Sequence, residues 1–186
     1  MPIKWRCTLC GQCCKTYVPL VLAEDVKRIQ EALNRPLSTF VTFYSHDDFD
    51  GPVDQTHDPQ FFQTKHGKLT MVLSRVDLPD GEVGCIFLKS NMCSIHAFKP
   101  QVCRQYPFQP QDPDHIEGPF QLIDEPCFGK HAEDEIVDES PLRQNYRVFH
   151  EKQEEYLEKV REWNDDPLSG TKDIEDFLSF VGLQWS

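Results

Sequence analysis

Four of the chain's eight cysteines fall within eight residues, as Cys7, Cys10, Cys13 and Cys14 in the stretch CTLCGQCC. Thiolates are soft anionic donors, and a C-x-x-C spacing lets two sulfurs converge on one ion from a single tight turn, with Gly11 easing the bend. Cys10 and Cys13 make the best such pair. Adjacent cysteines on an extended backbone face opposite ways, so Cys13 and Cys14 are expected to serve different sites, or to divide into one ligand and one bridging or redox-active thiol.

Cys7, Cys10 and Cys13 together read C-x-x-C-x-x-C, the opening of a bacterial iron–sulfur ligand run. That match breaks at Cys14, and no Cys-Pro pair completes it. The second set, Cys85, Cys93, Cys103 and Cys127, is spread along the chain, so a folded core is needed to gather it. Cys85 and Cys93 flank a turn, Cys103 follows Pro100 on a short helix, and Cys127 returns from the next segment. Four thiolates complete a tetrahedral zinc site and four also hold a cubane, so ligand count alone leaves Zn2+, iron and a [4Fe-4S] cluster open. In a reducing compartment clustered thiols hold metal more often than they form disulfides or stay as inert buried groups.

Nineteen Lys and Arg against 31 Asp and Glu leave a formal charge of −12, which repels phosphate backbones and anionic lipid surfaces. Neither nucleic acid nor a membrane is an expected partner, and no protein partner is read from the sequence. No apolar run approaches the roughly 18 residues of a membrane span, and the start, MPIKWRCTLC, lacks an apolar leader core, from which a cytoplasmic protein is expected. A length of 186 residues fits one domain spanning 1–186 that buries a core without cross-links. Within it, residues 5–128 form the cysteine-cluster core and 140–181 the C-terminal helices.

The elements that must position the thiols follow from periodicity. AEDVKRIQEALN (23–34) sets Val26, Ile29 and Leu33 on one helical face, with Glu24 and Asp25 where the helix dipole favours them. PLSTFVTFY (36–44) is read as a second short helix packing Leu37, Phe40, Val41 and Tyr44, and 46–60 as a loop dense in Asp, Gly and Pro. KLTMVLS (68–74) reads as a strand that pairs with GCIFL (84–88) across the turn PDGE, with further strands at NMCSIH (91–96) and FQLID (120–124). Pro100 opens a short helix that Pro107 stops. Ser140 and Pro141 open the longest helix, whose stripe runs from Leu142 to Trp163, and KDIEDFLSFVG repeats the pattern with Gly182 as its cap. The fold class is therefore α+β: a small mixed domain with a short β-hairpin or sheet, several helices and a cysteine-rich metal-binding centre.

Other candidates carry less chemistry. His96, near Cys93, reads as a surface or structural residue, with a ligand role only as the alternative, because eight thiols already suffice for two four-coordinate sites. Arg104 is placed to donate hydrogen bonds to metal-bound thiolates or to make an ordinary ion pair. Tyr106, Pro107 and Phe108 read as a dry wall around the centre. His46, His57, His66 and His115 read as solvated loop residues, and HDDFD (46–50) fits no calcium loop. Phosphate-binding and dinucleotide fingerprints are missing, as is a nucleophile elbow, and no thiol has a dedicated base, so no reaction is assigned.

WRCTLCGQCC, the EDVKRI helix, GCIFL, MCSIHAFKPQVCRQYPF and the isolated Cys127 together resemble the YkgJ-type cysteine-cluster family of zinc- or iron-chelating domains over about residues 5–128. The chain departs from that pattern at His96, where Tyr is usual, and at Lys99, where Arg is common. The resemblance implies metal chelation by these cysteines in a small α and β domain. Relatives associated with lysine methylation of flagellin imply, by analogy, the alternative of an iron–sulfur enzyme or redox protein. Zinc held by Cys7, Cys10, Cys13, Cys14, Cys85, Cys93, Cys103 and Cys127 is the leading expectation. Replacing Cys10 by Ser is then expected to lower metal content, measured by elemental analysis, and melting temperature together; unchanged values remove Cys10 from the ligand set.

Overall fold

The computed structural model describes residues 3–49, 60–112, 115, 117–123 and 136–186. It is an α+β structure of five α-helices and nine short strands among the described residues. The chain divides into two compact units, one built from residues 1–18 and 75–150 and the other from 19–74 and 151–186. Among the described residues no helix is long and apolar enough to cross a membrane.

The first unit carries every described cysteine. Its elements are short: α1 (Gln12–Thr16), the hairpin β4 (Arg75–Asp77) and β5 (Val83–Cys85), the two-residue pair β6 (Leu88–Lys89) and β7 (Met92–Cys93), α3 (Gln101–Gln105), and the pair β8 (Phe108–Pro110) and β9 (Phe120–Leu122). The PDGE turn forms as expected, closed by Leu78 N–H on the Glu82 carbonyl at 2.8 Å. Its partner strand is a correction: β5 pairs with Arg75–Asp77, with Arg75 facing Cys85, and not with residues 68–74. Leu78, Pro79 and the αL Gly81 close the chain too tightly for β5 to reach beyond the adjacent strand. NMCSIH supplies β7, then turns into a 3-10 helix at His96–Phe98. Pro100 caps α3, and FQLID yields β9, Asp124 lying outside the described residues.

The second unit explains residues 68–74. β3 (Gly67–Leu73) is the middle strand of an antiparallel sheet in the order β1-β3-β2, with β1 at Val41–Tyr44 and β2 at Phe62–Thr64. Leu69 to Leu73 are all buried, so the strand is covered on both faces and its sequence alternates only weakly. The helix expected over 36–44 is corrected to a 3-10 turn at Leu37–Thr39 followed by β1. Leu37, Phe40 and Val41 are buried as expected, but Val41–Tyr44 satisfies its backbone on Leu73–Thr70 instead of on itself. The loop expected over 46–60 contains a 3-10 turn at His46–Asp48, where His46 stacks on Phe61 at 3.7 Å; residues 50–59 lie outside the described residues.

Helix α2 (Ala23–Leu33) buries Val26 and Ile29, and its buried Asp25 accepts from Arg28 at 2.6 Å. α4 (Glu139–Asp165) buries Tyr156, Leu157, Val160 and Trp163, and α5 (Ile174–Phe180) buries Phe177 and Leu178 before Gly182 turns with φ +80°. Asn164 clamps β2: its amide donates to Phe61 O at 2.9 Å and its oxygen accepts from Gln63 N–H at 2.7 Å. Phe62 and Phe177 stack at 3.6 Å and 7°, with Trp163 edge-on at 5.4 Å, and both stacked rings are fully buried. Phe177→Ala is expected to cost about 3–5 kcal/mol, the range for a fully buried Phe, read as a lowered urea midpoint with unchanged slope.

Candidate metal centre

The N-terminal cysteine segment is held in place by a sharp backbone turn. Gly11 has φ +72° and begins α1, and Cys14 N–H reaches its carbonyl at 3.0 Å. A Cβ at Gly11 would stand 3.0 Å from Leu88 Cδ1 and 3.2 Å from Asn91 Cα, so the turn lies directly on the β6–β7 pair that carries Cys93. Cys13 and Cys14 therefore sit in a helical turn. The extended backbone assumed for this pair is a correction, because Gly11 in the left-handed region folds the chain before Gln12.

Polar straps tie α1 to the hairpin bearing Cys85. The Arg75 guanidinium donates to Tyr17 O at 2.6 Å, to Val83 O at 2.8 Å and to Lys15 O. Lys15 pairs with Asp80 and Glu82, each at 2.6 Å, in the β4–β5 turn. Aromatic contacts bracket the same segment. Trp5 meets Phe108 edge-on at 5.0 Å, and Tyr17 meets Tyr106 at 4.8 Å. The stretch expected to form a dry wall is thus packed on the residues that flank the cysteines, with Pro107 and Phe108 buried and Tyr106 half-buried.

Cys13, Cys14, Cys85, Cys93 and Cys103, from α1, β5, β7 and α3, lie within reach of one another's charge. Cys14 S–H donates to the Cys13 sulfur, which together with the Lys99 charge holds the Cys13 thiol down to about 6 against burial. The same bond, then burial and the neighbouring thiols, pushes Cys14 strongly up. Burial pushes Cys85 up to about 11, opposed by the Phe87 backbone and the Arg75 charge. Burial also raises Cys93 and Cys103, with Lys99 opposing in both cases. Cys7 is exposed and Cys10 half-buried on the segment before α1, and Cys127 lies outside the described residues. All seven described cysteines are free thiols.

Among the described residues, no three His, Cys, Asp or Glu side chains already stand close enough to hold one ion. The donor chemistry nevertheless suits a soft cation: several thiols from separate elements share a partly desolvated region, two cationic residues favour their ionised forms, and each sulfur turns on a single χ1. Lys99 and Arg75 are the cations beside these thiols, and no cysteine motif in the sequence marks either of them as such. Lys99 enters the sequence pattern only as a departure from the usual Arg, and Arg75 lies outside every motif. Arg104 departs from expectation, since its Nε donates to Lys99 O at 3.2 Å and its Nη2 to Ala97 O at 3.1 Å. It thereby ties down the turn before α3. His96 is exposed, and its imidazole is held below the ordinary range first by Lys99, then by burial and by Arg104.

A family model named CxxCxxCC, described as "Putative zinc- or iron-chelating domain", matches residues 6–128. The chain belongs to this family. No curated protein and no solved structure matches the chain. The CxxCxxCC match runs through the segment, straps and hairpins described above, and places residues 6–128 in a domain family described as zinc- or iron-chelating. Gly11→Ala is expected to destabilise this first unit by about 1–3 kcal/mol, combining left-handed strain with a contact to backbone at Asn91. Urea unfolding checks it, and a midpoint within error of wild type would refute the close approach.

Proposed function

We propose that the protein is a zinc-binding module of the cytoplasm, used structurally, for storage or for docking a partner, with the thiolates of Cys7, Cys10, Cys13, Cys14, Cys85, Cys93, Cys103 and Cys127 as ligands. The observation that carries this reading is the electrostatic coupling of five thiols drawn from four separate elements, beside Lys99 and Arg75. The family's chelating description supports the metal, and the free state of all seven described cysteines supports thiolate chemistry over a disulfide framework. Bound zinc supplies a cross-link between segments too short to hold together by packing alone, a contribution on the order of 10 kcal/mol in structural sites.

The chain's own part is to bring the sulfurs together and to give up their protons. Cys14, Cys85, Cys93 and Cys103 are held protonated above the usual thiol range, so an incoming cation must displace those protons. The sign follows: affinity rises with pH and falls on acidification, by about tenfold per pH unit for each proton displaced. Elemental analysis of anaerobically isolated protein is expected to find stoichiometric zinc in a colourless sample. Competition against a chromophoric chelator is expected to show affinity falling steadily from pH 8 to pH 6. A brown preparation with stoichiometric iron overturns zinc, and a metal-free protein that takes up neither ion overturns the reading.

A further inference from the structure

We infer that Arg75 is a positioning residue of the thiol centre, whose guanidinium fork fixes α1, which carries Cys13 and Cys14, against the strand β5 that bears Cys85. Its reach is unusual for a residue outside the cysteine segments. One half-buried side chain caps the carbonyls of Lys15 and Tyr17, at and just past the end of α1, and also takes the Val83 carbonyl at the start of β5. Those carbonyls lie on either side of Arg75 in the chain, Tyr17 58 residues before it and Val83 8 residues after it. α1 is only five residues long and buries none of them, so packing of its own side chains cannot hold it in place.

The fork geometry matters as well as the charge. A planar guanidinium can serve three acceptors at fixed angles, whereas an ammonium on a flexible stem cannot hold the same three at once. Arg75 is also the direct cross-strand partner of Cys85, and its charge favours the Cys85 thiolate. Lys15, bound to Asp80 and Glu82, adds a second strap to the same hairpin, but its two acceptors are more than half exposed and contribute little. Removing the fork is therefore expected to free α1, and with it Cys13 and Cys14, from Cys85, while the hairpin itself survives on its turn and ladder.

The inference rests on the metal-binding reading for its purpose, so its test has one arm that needs no metal. In reduced, metal-free protein treated with diamide, disulfides linking Cys13 or Cys14 to Cys85 are quantified against time by peptide mass spectrometry. Arg75→Gln is expected to slow their formation at least tenfold, with little change in far-UV circular dichroism, and Arg75→Lys to stay nearly as slow. A wild-type trapping rate in Arg75→Gln overturns the inference. Recovery in Arg75→Lys also overturns it, because charge alone would then suffice. In the second arm cobalt(II) is titrated in: Arg75→Gln is expected to bind at least tenfold more weakly, with a thiolate-to-cobalt absorbance below wild type. Wild-type affinity and absorbance in the variant overturn the inference. Slowed trapping together with no cobalt or zinc uptake by wild type leaves Arg75 as the positioning residue and overturns the metal reading instead.

Discussion

Thiols brought within reach of one another's charge in a partly desolvated region cannot all ionise, because each thiolate raises the cost of the next. Burial adds to that cost at Cys85, Cys93 and Cys103, and the bond from Cys14 to Cys13 resolves it locally by letting one sulfur carry the charge while the other keeps its proton. Such a centre is stable as a set of mostly protonated thiols or as a set of thiolates offset by positive charge. Lys99 and Arg75 supply part of that charge from the protein itself. A soft divalent cation is the chemically natural source of the rest.

The scaffold around this centre is unusual in how little regular structure it has. α1, β5, β7 and α3 are each two to five residues long, well below the length at which a helix or hairpin stands on its own. Their placement depends on particular contacts: a glycine pressed on the β6–β7 turn, a guanidinium serving three carbonyls, an Arg104 fork holding the turn before α3, and two aromatic pairs bracketing the cysteines. The second unit is built otherwise. It has a central strand buried on both faces, the amphipathic helices α2 and α5 with the buried C-terminal part of α4, and an aromatic stack, and so carries its stability in ordinary apolar packing.

That contrast explains which parts were legible in the sequence. α2, α4 and α5 were readable because each keeps one apolar stripe at helical period over two or more turns. The stretch 36–44 misled because Leu37, Phe40, Val41 and Tyr44 also fall at helical spacing, while its β-branched and aromatic residues were free to take a place beside β3. β2 carried no signal of its own: three residues beside a polar loop become a strand only because β3 and Asn164 satisfy their backbone. The pairing of β5 was misassigned for a related reason. Arg75–Asp77 lies directly before the PDGE turn, and loop closure favours that nearer run over 68–74.

Residue types and spacing by themselves determined the soft-donor character: eight cysteines, four of them within one tight segment that contains a glycine, in an acidic chain. They also determined the class, α+β, and the long helices. Only the tertiary structure decided that Cys13 and Cys14 sit on a helical turn, that Cys85, Cys93 and Cys103 share their electrostatic surroundings, and that Arg75 and Lys99 complete the neighbourhood. The reason is physical. Soft-donor character and local turn geometry are properties of residues close along the chain, whereas the convergence of thiols from four short elements depends on hydrogen bonds and packing between segments tens of residues apart, which no local pattern encodes.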